Sequence, residues 1–102
     1  MDISDWRKKI DDIDRRLVRL LNERAQCVLE IGKIKHQEGL PVLESRREDE
    51  VLRHAVEASR GPMDRDAIRR VFEGILRESR DVQQKLFEQT DHNPAKKTEQ
   101  QT

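Results

Sequence analysis

From Ile3 to Ile34 apolar residues return at intervals of three and four, the spacing of one helix face. The stripe runs Trp6, Ile10, Ile13, Leu17, Leu20/Leu21, then Val28 and Ile31. No Pro or Gly interrupts it before Gly32, and Glu38-Gly39-Leu40-Pro41 supplies a stop. The pattern predicts a first helix of about 34 residues, roughly 50 Å long at 1.5 Å per residue. A second helix is expected from Ser45, where Ser45-Arg46-Arg47-Glu48 reads as a capping box. Its apolar face is Val51, Leu52, Ala55 and Val56, and Gly61-Pro62 ends it. A third begins after Asp64, an N-cap candidate, with Met63 and Ile68 spaced as a hydrophobic staple. Its stripe is Ile68, Val71/Phe72, Ile75/Leu76, Val82 and Leu86/Phe87. Nowhere does the alternation of a strand appear, and there is no internal repeat. The expected fold is all-α: three helices, one of them very long.

The first helix is too long for a globule of this size. A compact chain of 100 residues has a radius of gyration near 13 Å, hence a diameter of about 34 Å. A helix of roughly 50 Å overshoots that, so part of its stripe needs cover from outside the chain. Composition points the same way. Only 33% of the 102 residues are hydrophobic and 3% aromatic, a thin supply for a monomeric core. A second copy of the chain is the simplest cover, which predicts a homodimer. Residues 1–90 are expected to form the one domain, and 91–102 a disordered polar tail.

Charge narrows the partners. Lys and Arg total 21, as do Asp and Glu, so the formal net charge is zero. The Arg pairs at 15–16, 46–47 and 69–70 sit among acids and read as solvated faces. No nucleic acid and no anionic membrane surface is implied. No apolar run approaches the roughly 20 residues of a membrane span. The acidic start, Met1-Asp2-Ile3-Ser4-Asp5, lacks the features of a signal peptide. Cys27 stands alone, which fits a reducing compartment, and the expected location is cytoplasmic. His36, His54 and His92 have no metal-ligand spacing and read as surface residues.

The candidate chemistry lies where polar residues interrupt the stripes. Arg24 follows Leu21 and Leu20 by three and four and precedes Val28 by four. Lys35 follows Ile31 by four, and lies eleven residues, about three turns, beyond Arg24. On the third helix Ser79 follows Ile75 by four, and Gln83 follows Ser79 by four. Each therefore projects from a face that should be inward. Any one of them could be a snorkelling side chain or a register-fixing polar residue. Two helices doing so independently favours a shared site. Glu44, Arg47 and Glu48 cluster at the start of the second helix, where Glu48 also serves the expected capping box. Excess cation on an inward face selects an anionic small molecule, with carboxylates the natural match.

These residues, in this order, resemble the all-helical class of chorismate mutases. The resemblance covers residues 6 to about 88. It rests on Trp6-Arg7-Lys8-Lys9-Ile10 with Ile13-Asp14, Leu20-Leu21-Asn22-Glu23-Arg24, and Ile31-Gly32-Lys33-Ile34-Lys35. Leu40-Pro41-Val42 leading into Arg46-Arg47-Glu48, and Glu78-Ser79-Arg80-Asp81-Val82-Gln83-Gln84, complete it. Each piece alone is unspecific; the ordered set with these separations is not. The resemblance implies an intertwined homodimeric helical bundle with two identical sites. It implies that Arg24 and Lys35 bind the carboxylates of chorismate, helped by Arg7 donated across the interface. Lys35 and Gln83 would donate to the ether oxygen, Glu48 would hold the ring hydroxyl with backbone support near Glu44, and Arg47 and Ser79 would complete the lining. Glu44 stands where the family usually has Asp, so its longer reach makes that contact the departure from pattern.

The implied reaction, chorismate to prephenate in aromatic amino acid biosynthesis, is a unimolecular Claisen rearrangement. It needs no cofactor, no metal and no nucleophile, only a held conformer and donors for charge growing on the ether oxygen. Two alternatives stand beside it: an isochorismate pyruvate lyase-like enzyme on the same fold, and a non-catalytic dimerisation or regulatory module. The Arg47-Glu48 pair favours the mutase, because such lyases generally lack that Glu. With 102 residues, a stand-alone enzyme without a fused dehydratase, dehydrogenase or synthase is expected.

Overall fold

The structure, a computed structural model, describes residues 1–91. The polar tail expected from Asp91 lies outside the described residues, save Asp91 itself. Three helices follow one another: α1 (Ile3–Glu38), α2 (Ser45–Ala58) and α3 (Arg65–Asp91). No strand occurs among the described residues.

Local chemistry explains each boundary. Asp2 caps α1 with its carboxylate on the Asp5 amide at 3.0 Å, and the Asp5 carboxylate returns to the Asp2 amide at 3.1 Å. The helix then runs 36 residues. At its end Gly39 takes φ 69°, a left-handed conformation open to glycine, and the Leu40 amide reaches back to the Lys35 carbonyl at 2.8 Å. Asp64 caps α3 as expected, its carboxylate accepting from the Ala67 amide at 2.8 Å. α2 departs from expectation. Ser45 is its first helical residue, Glu44 is the N-cap, and no side chain caps it. The Ser45/Glu48 capping box does not form, because Glu48 is drawn to a cation on α3 and the Glu44 carboxylate to Lys35. α2 also stops at Ala58, three residues before Gly61.

α3 packs against both other helices. Along α1 its contacts climb in step: Arg24 with Ser79, Val28 with Gln83, His36 with Phe87. The two helices are therefore parallel. α2 runs the other way, with Glu48 at Arg80 and Leu52 nearer Leu76 and Glu73. His36 is accordingly not the surface residue expected: it is half-buried, its ring edge-on to Phe87 with centroids 4.9 Å apart. His54 is exposed, and His92 lies outside the described residues.

The buried centre is small and half polar. Leu52 and Leu76 are its apolar members, Lys35 and Gln83 its polar ones. Gly32, also buried, lets α1 and α3 approach there: a Cβ on it would stand 3.1 Å from Leu86 Cδ2 and 3.2 Å from Gln83 Cγ. Among the described residues no other element buries the first half of α1. Trp6, Ile10, Ile13, Leu17 and Leu21 keep 40–53% of their surface exposed. The radius of gyration is 18.6 Å, against about 13 Å for a compact chain of this length.

Gly32→Val tests the close approach. An added methyl alone gains helix propensity, but a branched side chain must displace Leu86 or Gln83. Stability to urea is expected to fall by about 1–3 kcal/mol. Wild-type stability in that variant would mean the helices are not tightly apposed at Gly32.

Candidate functional site

Where α1, α3 and the start of α2 converge, they enclose a cavity of about 270 Å³. Its walls are built from the stripe-breaking residues. Arg24 Nη1 donates to Ser79 Oγ at 2.6 Å, and that hydroxyl donates on to the Ile75 carbonyl at 2.8 Å. The four-residue step from Ile75 to Ser79 makes this second bond available within α3. Ser79 thus fixes the guanidinium without consuming its charge.

Lys35 is the pivot. Its ammonium is nearly buried and has three partners: the Val42 carbonyl at 2.9 Å, Gln83 Oε1 at 3.2 Å, and Glu44 Oε1 at 3.1 Å. An ammonium carries three hydrogens, so this one is fully satisfied. Burial would otherwise be costly. The partners differ in exposure. Val42 is backbone, and Gln83 is 6% exposed, while the Glu44 side chain is 46% exposed. The Gln83 amide is itself held, Nε2 donating to the Val28 carbonyl at 3.0 Å. Its other N–H is spare.

Seven of the eight residues expected at the site, Arg24, Lys35, Glu44, Arg47, Glu48, Ser79 and Gln83, line this one cavity. Arg47 stands at its edge, 3.6 Å from Glu50 and mostly exposed. The Glu44 carboxylate reaches Lys35 from the N-cap position of α2. Arg7 is not at the cavity: it is exposed on α1, 17 residues before Arg24, about 25 Å along the axis.

One member was not anticipated. Arg80 lines the cavity and pairs with Glu48 at 2.5 Å, bridging α3 to α2. A signal for it exists in the sequence: Arg80 follows the buried Leu76 by four, as Ser79 follows Ile75. With it, four cations (Arg24, Lys35, Arg47, Arg80) face two carboxylates (Glu44, Glu48), a formal excess of two positive charges. That balance suits a small dianion. Among the described residues no cluster of three His, Cys, Asp or Glu could hold a metal, and no helix is long and apolar enough to cross a membrane.

Comparison with known proteins fits this architecture. The T-protein of Haemophilus influenzae is 37% identical over 78 residues, which are 76% of this chain and 21% of that protein. The bifunctional chorismate mutase/prephenate dehydratase of Pseudomonas aeruginosa is 36% identical over 75 residues, 69% of this chain and 20% of that one. The chain thus spans about a fifth of the length of these two relatives. Among solved structures, chorismate mutase (form II) from Thermus thermophilus superposes with a TM-score of 0.79 at 35% identity, covering 80% of this chain and 93% of that one. The sequence profile described as chorismate mutase type II matches residues 6–84, a segment that contains all three helices' contributions to the cavity. On that match the chain belongs to the chorismate mutase type II family.

Proposed function

We propose that the protein catalyses the Claisen rearrangement of chorismate to prephenate. The observation that carries this reading is the buried Lys35–Gln83 pair at the wall of a cavity with excess positive charge. Breaking the ether bond while the new carbon–carbon bond forms sends negative charge onto the ether oxygen. A fixed ammonium and a spare amide N–H aimed at that oxygen stabilise the charge without reorganising when it appears. Arg24, held by Ser79, takes a substrate carboxylate, and Arg47 completes the lining. Glu48 accepts from the ring hydroxyl. The Glu44 carboxylate, the most exposed partner of Lys35, yields its place to the substrate. The compartment proposed is the cytoplasm.

The same reading makes the protein a homodimer. Five half-exposed apolar side chains on α1, from Trp6 to Leu21, are worth roughly 1 kcal/mol or more each once covered. Beside them lies an apolar groove of about 390 Å³, bounded by Leu21, Val71, Ile75 and Val82. The α1 of a second copy supplies matching apolar surface for both. In an isologous pair, Arg7 of one protomer enters the cavity that holds Arg24 of the other.

The direct test is incubation with chorismate and identification of the product. Prephenate supports the reading. Salicylate and pyruvate formed from isochorismate, with chorismate untouched, would make the protein a lyase, and inertness toward both would make it a binding module.

Lys35→Ala is expected to reduce kcat by about 10²–10³ with helical content retained, measured by chorismate absorbance and circular dichroism. Activity within threefold of wild type would remove Lys35 from the reacting oxygen.

For Gln83 the readout is pH. A neutral amide donates at any pH, whereas the carboxyl of Gln83→Glu donates only when protonated. Activity of the variant should therefore rise as pH falls, relative to wild type. Parallel profiles would contradict donation from this position.

Arg7→Ala and Arg24→Ala are each expected to be nearly inactive. Refolded together in equal amounts, about half the molecules become heterodimers with one intact and one doubly damaged site. About a quarter of wild-type activity should then return. Heterodimers demonstrated by mass but lacking activity would place both arginines in one protomer's site.

A further inference from the structure

Two kinds of ion pair occur among the described residues. Those at Arg15–Asp12, Lys33–Glu30, Arg47–Glu50, Arg53–Glu57, Arg69–Glu73 and Lys85–Asp81 join neighbouring turns of one helix, and their side chains are 45–69% exposed. Pairs of that sort contribute little. Lys35–Glu44 and Arg80–Glu48 are different. Each joins separate elements, and each lies at the cavity. The first belongs to the machinery already described. The second has had no role.

Glu48 presents a difficulty that Arg80 resolves. A carboxylate in the wall of a site for a dicarboxylate repels the ligand it is meant to hold. Its side chain is only 21% exposed, so solvent screens it weakly. It also has two oxygens and a flexible stem, and must keep one oxygen toward the cavity. Arg80 reaches from α3 to Glu48 Oε1 at 2.5 Å through Nη1, with 37% of its own side chain exposed. The guanidinium offsets the carboxylate charge and occupies one oxygen. The other remains free to accept. Nearby, Arg47 is turned to Glu50, so it does not do this for Glu48.

Resting on the mutase reading, we propose that Arg80 is a positioning residue that acts through Glu48. It fixes the carboxylate in the cavity wall and cancels its charge, so that a dianionic substrate can bind beside it. Arg80 itself need not touch the substrate. This role bears on binding more than on the chemical step, since the Glu48 contact to a ring hydroxyl exists before the rearrangement as well as during it.

The test is a double-mutant cycle on chorismate turnover by the intact protein. Arg80→Met keeps the length of the side chain and removes the charge. It is expected to raise KM by about tenfold or more, the size of one hydrogen bond to a charged group, with kcat within about threefold. Arg80→Lys should restore most of the lost affinity. In a Glu48→Gln background, where no carboxylate is left to offset, Arg80→Met should change KM by less than about twofold. Circular dichroism and thermal melting of all four proteins keep folding defects apart from these effects. The proposal is overturned if Arg80→Met costs the same factor with and without Glu48, because Arg80 would then act on substrate or fold directly. It is equally overturned if Arg80→Met falls on kcat alone, or changes nothing. A wild-type protein inert to chorismate would instead take down the mutase reading, and this proposal with it.

Discussion

The ammonium of a lysine that is 8% exposed has to be matched hydrogen for hydrogen, or the fold that buries it is penalised by several kcal/mol. Lys35 meets this condition by drawing in three parts of the chain. Gln83 comes from α3, the Val42 carbonyl from the turn after α1, and Glu44 from the N-cap of α2. The position of each follows from that requirement. Gln83 can reach Lys35 because Gly32, one turn earlier on α1, leaves room for its stem. The turn after α1, reversed at Gly39 in its left-handed conformation, brings the Val42 carbonyl back to the ammonium. α2 begins at Ser45 with an uncapped side, because its N-cap carboxylate is spent on Lys35.

The same competition between local and tertiary bonds decides how much of the fold is legible in the sequence. Helix number, order and type followed from the apolar stripes, which resolve into helices of 36, 14 and 27 residues, because such periodicity is set within the chain by local geometry. The start of α3 is also legible at Asp64, since an Asp cap acts within four residues, whereas the start of α1 is legible only as the onset of its stripe. The start of α2 was misread. Ser45 and Glu48 have the spacing of a capping box, but a partner on another helix outcompeted the local bond. Spacing rules carry no knowledge of what lies across the cavity.

The site divides in the same way. Arg24, Lys35, Ser79 and Gln83 stood out because they broke apolar stripes, an anomaly visible in one dimension. Arg80 breaks the same face as Gln83 and was passed over, as a charged residue beside Asp81 reads as solvated surface. Its meaning depends on Glu48, 32 residues away. His36 was missed for the opposite reason: an aromatic contact with Phe87 gives a half-buried ring no sequence signature.

The polar centre also bears on the unpaired length of α1. A helix pair that surrounds Lys35 and Gln83 with bonds forgoes the leucines that would otherwise fill that space, and among the described residues only Leu52 and Leu76 of the large apolar side chains are buried to the same degree. Filling the cavity with apolar side chains would give a more self-sufficient protomer and no anion site. Apolar burial must then be found elsewhere, and the exposed stripe from Trp6 to Leu21 is where the chain holds it in reserve. On the dimer proposed above, pairing through that stripe would bring the second chain's Arg7 with it, since Arg7 directly follows Trp6. The cover that stabilises the fold and the cation that completes the site would arrive on the same turn of helix. Selection on either would then preserve both.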